Sequence, residues 1–310
     1  MDNTLNLALN WAQTDDVALA TVISTWGSAP RPVGSIMIIK SGGLFEGSVS
    51  GGCIEGEVIH AALSVIKTGK QQVLEFGVSN DDAINVGLAC GGTIKILLVK
   101  IDPKMLDQLK SIKSSLDQQQ SIIWLRPVVE GKEAKLVSDT DKTKHSDEEF
   151  FSHRFETPIK LKIIGAVHIA QALNTMAKLN GFDVEIIDPR GAFAEAERMQ
   201  DCVVIERWPD EELNQHQPNN RTAIVTLTHD PKLDDAALKV ALKSDAFYIG
   251  CLGSKKTHAK RLERLADLGF TSQQLERIHG PVGLDIGAKS VSEIAISILA
   301  EIVSVYRDQK

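Results

Sequence analysis

In the first half of the chain, apolar positions follow two periods. Leu5, Ala8, Leu9 and Ala12 recur at helical spacing, and Ile54, Val58, Ala62, Val65 and Ile66 mark one face of a longer helix that Gly69 ends. Runs rich in β-branched residues predict strands at Val17 to Ile23, Ile36 to Ile39, Val73 to Phe76 and Thr93 to Val99. A helix over Met105 to Ile112 and a hairpin of Ile122 to Val129 with Ala134 to Val137 follow. Asp139 to Glu149 is polar and charged, and reads as a linker or exposed loop.

Beyond it the rhythm changes. Short apolar runs at Ile159 to Ile164, Val184 to Ile187, Val203 to Ile205, Ala223 to Leu227 and Ala246 to Ile249 alternate with helical segments such as Ile169 to Leu179. Strand–helix alternation predicts a parallel sheet covered on both faces. The last helix opens on the capping box Ser290-Val291-Ser292-Glu293, with Ile294, Ile298, Leu299, Ile302 and Val305 on its buried side. The expected fold class is α/β. It combines an N-terminal mixed α/β domain over residues 1–145 with a C-terminal Rossmann-like doubly wound parallel sheet over residues 156–310.

Composition narrows the partners. The 310 residues are 43% hydrophobic and 24% charged, enough for two ordinary soluble domains. A formal net charge of −7 argues against a nucleic-acid partner, which would need a basic face. No stretch has the apolar length of a membrane span, and the start lacks the basic and apolar regions of a signal peptide. The four cysteines form no CxxC pair, so reduced thiols in a cytoplasmic protein are expected.

Two loops of the second half suggest a nucleotide crevice. Gly165, Ala166, His168 and Ala170 lie between a strand and a helix, and Asp188 ends the next strand 23 residues after Gly165. This is a G-x-G-x-x-A fingerprint with one member missing. Gly165 makes the turn, Ala170 permits close packing, and Asp188 is placed to accept from a ribose hydroxyl. The second glycine is replaced by Val167, whose Cβ should crowd a pyrophosphate and argues against NAD(P). His168 reads most simply as a helix-start residue. Gly253, Ser254 and Lys255, opening a later helix, form an anion-type loop whose plainer reading is a capped helix with solvated lysines.

The most specific local feature is Gly47-Ser48-Val49-Ser50-Gly51-Gly52-Cys53-Ile54-Glu55-Gly56-Glu57. Two glycines precede a cysteine that enters a helix, where the dipole and free main-chain amides favour a thiolate and bind oxo-anions. Cys90 has a mirrored setting in Gly87-Leu88-Ala89-Cys90-Gly91-Gly92, and Arg31 stands between two prolines in a turn-rich loop. Arginine suits bidentate contact with phosphate or oxo-anion oxygens. The plain alternative makes both cysteines small buried hydrophobes.

These segments resemble the XdhC/CoxI family. The match is carried by Ser50 to Gly56, Gly87 to Gly92 and Gly27 to Arg31 in the first half. In the second half it is carried by Val184 to Arg190, Tyr248 to Lys255 and Gly283 to Ala288. The resemblance implies an accessory protein of xanthine dehydrogenase-type molybdenum hydroxylases, itself not an enzyme and with no catalytic residue. Such a protein binds the molybdenum cofactor, protects it during exchange of an oxo for a sulfido ligand, and inserts it into the apo-enzyme. The implied partners are that apo-enzyme, a cysteine desulfurase and a second copy of the chain. The resemblance makes Cys53 the thiol nearest the cofactor and a candidate contact to molybdenum, with Cys90 second. Gly51, Gly52, Glu55, Gly91, Gly92 and Arg31 would surround the pterin phosphate or oxo ligands. Val167 departs from the family's Gly-Ala-Gly-His turn.

Three other readings compete. An NAD(P)-dependent oxidoreductase on the C-terminal domain is opposed by Val167. The hydroxylase itself needs a far longer chain and more cysteines for iron–sulfur clusters. An interaction protein that kept only the fold would bind neither pterin nor nucleotide.

Overall fold

A computed structural model describes residues 2–28, 31–77, 92–139, 149–191, 199 and 201–308. The chain divides into two units, Met1–Thr157 and Pro158–Lys310.

The first unit contains α1 (Asp2–Trp11), β1 (Val17–Trp26), β2 (Ile36–Lys40), β3 (Phe45–Gly47) and α2 (Glu55–Thr68). It continues through β4 (Gln72–Phe76), β5 (Thr93–Lys100), α3 (Pro103–Asp117), β6 (Ile122–Pro127), β7 (Lys135–Ser138) and β8 (Phe150–Phe155). Five strands pair antiparallel in the order β3-β2-β1-β5-β4. Side chains alternate across each strand. Ala18, Ala20 and Val22 therefore face Val58, Ala62 and Val65 of α2. Val17 and Leu19 face the other way, onto a core with Leu5, Leu109, Trp124 and Phe155. Burying one such large aliphatic contributes about 1.5–3 kcal/mol, so a charge at Ala62 would break the α2 face. α2 stops at Gly69, whose φ of 69° puts it in the left-handed region, as the sequence predicts.

A smaller sheet, β7-β6-β8, completes this unit. The expected boundary at 145 moves, because Phe150–Phe155 pairs along the whole of β6 and belongs with it. Arg126 of β6 is buried over the Trp124 ring, 4.6 Å from its centroid, and donates to Thr21 Oγ1 of β1 at 2.9 Å. Burial alone pushes its pKa down to about 9.

The second unit contains β9 (Lys160–Ile164), α4 (His168–Leu179), β10 (Asp183–Ile187), β11 (Val204–Ile205), α5 (Pro209–Gln215) and β12 (Thr222–Thr226). After these come α6 (Pro231–Ala241), β13 (Tyr248–Cys251), α7 (Lys255–Asp267), α8 (Ser272–Leu275), β14 (Ile278–His279) and α9 (Val291–Asp308). All six strands are parallel, in the order β11-β10-β9-β12-β13-β14. This is the doubly wound order with its switch point between β9 and β12. Ala170, Leu173, Ala295, Ile298 and Ile302 of α4 and α9 cover one face. Leu213, Leu233, Ala237, Leu238 and Leu265 of α5, α6 and α7 cover the other. The predicted capping box forms: Ser290 N donates to Glu293 Oε2 at 2.8 Å and Glu293 N to Ser290 Oγ at 3.3 Å. No helix among the described residues is long and apolar enough to cross a membrane.

Candidate functional site

Strand register decides where the glycine-rich loops leave the first unit. Trp26 at the end of β1 lies opposite Thr93 at the start of β5. Ile36 at the start of β2 lies opposite Thr21, and Gly47 at the end of β3 opposite Met37. The Arg31 loop, the Ser48–Ile54 loop and the entry to β5 therefore leave toward the same end of the sheet. At that end a Cβ on Gly92 would stand 2.7 Å from the Trp26 carbonyl oxygen and 3.0 Å from that of Ser28, so only glycine admits this approach. Arg31 and Cys53 are both exposed. Cys90 and Gly91 lie outside the described residues.

The Cys53 loop is built on a carboxylate. Gly51 (φ 75°) and Gly52 (φ 112°) take consecutive left-handed conformations that turn the backbone around Glu55. Glu55 Oε1 accepts from Ser48 Oγ at 2.7 Å, Ser50 N at 2.9 Å and Val49 N at 3.3 Å. Its Oε2 accepts from Gly52 N at 2.9 Å and from the Ser50 hydroxyl. The remaining amides are served by hydroxyls: Gly51 N donates to Ser48 Oγ at 2.9 Å, and Cys53 N and Ile54 N donate to Ser50 Oγ at 3.1 and 3.0 Å. Every amide from Val49 to Ile54 thus has an acceptor within its own loop.

That arrangement corrects two expectations. The amides beside Cys53 are not bare, because an internal anion and two serines already hold them. Glu55 faces inward as the brace of the turn, and helix α2 starts on it, two residues past Cys53. Burial raises the Glu55 pKa, but the hydrogen bonds from Ser50 and Ser48 outweigh it and bring the group to about 2. The Cys53 side chain stays on the outside of this braced turn, exposed rather than packed as a core hydrophobe.

In the second unit, Gly165 (φ 108°) follows β9, and a Cβ there would stand 2.5 Å from Thr228 Cγ2. Asp188 is fully buried. Its Oδ2 accepts from Ala166 N at 2.9 Å and Arg190 Nη2 at 2.7 Å, and its Oδ1 from Arg190 N and Nε at 3.0 and 2.9 Å. Burial raises its pKa, but these Arg190 and Ala166 hydrogen bonds leave it lowered overall. The acid expected to meet a ribose hydroxyl thus has both oxygens engaged by its own chain. His168 is exposed as the first residue of α4, behind the N-cap Val167. Ser254 caps α7 by accepting from Thr257 N at 3.2 Å, Gly253 (φ 140°) packs on Thr257, and Lys255 is exposed.

Comparison with known proteins places both halves. Residues 10–77 match the model of the XdhC and CoxI family, and residues 161–302 match that of the XdhC Rossmann domain. The chain belongs to the XdhC/CoxI family. Among XdhC/CoxI relatives, it is 29% identical over 94% of its length to the molybdenum cofactor insertion chaperone PaoD of Escherichia coli (strain K12), covering 84% of that protein. It is 25% identical to a Bacillus subtilis (strain 168) protein described as a probable xanthine dehydrogenase component, covering 93% of each chain. A crystal structure described as a xanthine dehydrogenase from Bacillus halodurans superimposes with a TM-score of 0.84 at 26% identity, covering 99% of this chain and 96% of that one.

The XdhC/CoxI chain thus gathers Arg31, Gly51, Gly52, Cys53 and Gly92 toward one sheet end of its first unit. In its second unit the loops of Gly165, Asp188 and Gly253 to Lys255 all follow strand ends at the carboxyl edge. The sequence reading missed what four residues do: Ser48, Ser50, Arg190 and Thr228. For the first two, the available signal was a pair of hydroxyls spaced just upstream of an acid. For Arg190 it was a cation two residues after Asp188.

Proposed function

We propose that this chain carries a molybdenum cofactor and hands it, in sulfurated form, to a xanthine dehydrogenase-type hydroxylase, acting as a chaperone and not as an enzyme. The observation that carries the reading is the exposed Cys53 sulfur on a turn that keeps its shape without help from a ligand. Support comes from the similarity to PaoD, whose name assigns it cofactor insertion. A cysteine sulfur is a soft donor suited to a thiophilic metal centre. In this proposal Cys53 stands nearest the cofactor and Cys90 second. Arg31 meets a phosphate or oxo oxygen through its planar fork, while Gly51, Gly52, Gly91 and Gly92 leave room for the pterin. Glu55 acts through the loop, not by touching the guest. A second copy of the chain, the apo-hydroxylase and a cysteine desulfurase are the proposed partners.

The test is retention of cofactor. Apoprotein is mixed with isolated molybdenum cofactor and gel-filtered, and metal and pterin are measured in the protein peak. The wild-type chain should retain both and activate apo-hydroxylase, and Cys53→Ser should lose most of each while keeping its melting temperature. No retention by the wild type, or full retention and activation by Cys53→Ser, would sink the proposal.

A further inference from the structure

The second unit holds a cavity lined by several charged side chains. It lies between the start of α6 and the first turns of α7, measures about 160 Å³, and its lining includes His229, Asp234, Lys256, Lys260, Arg261 and Arg264. Arg261 is its floor. That side chain is only 2% exposed, yet a single one of its nitrogens has a close acceptor: Nη2 donates to the Leu252 carbonyl at 2.9 Å. Its Nε and Nη1 have no hydrogen-bond partner among the described residues.

The nearest carboxylate compensates poorly. Asp234 Oδ2 stands 3.7 Å from Arg261 Nη2, and Asp234 Oδ1 accepts the Thr228 hydroxyl at 2.6 Å. Burial raises the pKa of Asp234, and the Thr228 bond and the Arg261 charge only partly reverse that. A buried guanidinium with two bare donors is costly, since buried charges are normally paired and fully hydrogen-bonded. Around it, Lys256 and Lys260 are exposed and form no ion pair among the described residues. Arg264 is committed to Asp235 at 2.8 and 3.0 Å and serves as a fixed wall.

We propose that this cavity binds a phosphate group, either free phosphate or the end of a phosphomonoester, with Arg261 beneath it and Lys256 and Lys260 closing over it. An oxyanion supplies the countercharge that the poorly paired, buried Arg261 lacks, and guanidinium groups and lysine point charges are the usual partners of phosphate. The positive end of the 13-residue α7 adds to the field. The volume admits a phosphate group but lies below the roughly 300 Å³ at which whole small-molecule pockets begin. The site stands in the second unit on its own residues, so it holds or fails independently of the cofactor reading for Cys53.

Calorimetric melting of the full chain tests it. Inorganic phosphate at ~10 mM should raise the melting temperature by about 2–4 °C, and sodium chloride at matched ionic strength should not. Lys256→Ala combined with Lys260→Ala should melt as wild type without phosphate and weaken phosphate binding by about tenfold or more. Arg261→Met should abolish the response; if it does not fold, the lysine variant decides alone. Ribose 5-phosphate, titrated in parallel, separates the sources: tighter binding than phosphate assigns the site to an esterified group, equal or weaker binding to the free anion. An equal rise with chloride, or a phosphate response untouched in the lysine variant, overturns the assignment.

Discussion

Gly52 N donates to Glu55 Oε2 at 2.9 Å, closing a turn whose only charged member is that carboxylate. Glu55→Gln replaces one acceptor oxygen with an NH2 group facing donors already in place. It should cost about 2–3 kcal/mol in urea unfolding. The acid dependence should change with it. The Glu55 pKa is lowered on folding from 4.5 to about 2, so its stabilisation is complete above the unfolded value and disappears as pH falls from there toward the folded one. That contribution is on the order of 3 kcal/mol. Wild type should therefore lose stability between these two pH values more steeply than Glu55→Gln. Parallel curves for the two proteins would show that the carboxylate does not brace the turn.

Thiol reactivity should rank by exposure. Cys53 is exposed, whereas Cys251 is sealed in the core of the second unit and burial, ahead of every other influence, pushes its pKa up to about 11. Cys202 is half-buried, and burial raises its thiol as well. Alkylation of native protein at neutral pH, followed by peptide mass spectrometry, should modify Cys53 first, Cys202 more slowly and Cys251 only on unfolding. Early labelling of Cys251 would contradict the packing of β13.

Gly165 should resist substitution. A methyl there meets Thr228 Cγ2 at 2.5 Å and occupies a backbone with φ of 108°. Gly165→Ala should cost about 2–4 kcal/mol, read by thermal or urea unfolding. Pairing it with Thr228→Ser, which removes the obstructing methyl, should recover part of the loss. No recovery would place the cost in the backbone alone.

Much of the second unit is legible in the residues. Five of its six strands, all but the two-residue β14, and two of its caps are local: a short apolar run, a proline after Asp230, a serine three residues before Glu293. β8 was not legible, because Phe150–Phe155 becomes a strand by pairing with β6 across a charged stretch, and strand preference follows such partners more than local composition. At the site, the glycine–cysteine pattern announced a turn with unusual conformations, and Gly51 and Gly52 have them. It did not announce where the amides go. That depends on Glu55 folding back over its own N-terminal side, a choice made in three dimensions. Asp188 teaches the same lesson: its place at the end of β10 is readable, while its capture by Arg190 and Ala166 is not.

A turn with a resident negative group is preorganised when empty. Whatever docks beside Cys53 meets a contour already set by Ser48, Ser50 and Glu55, so little of its affinity is consumed in ordering the loop. For a carried cofactor, as proposed, departure would be eased in the same way, because no part of that turn would have to unfold behind the leaving molecule.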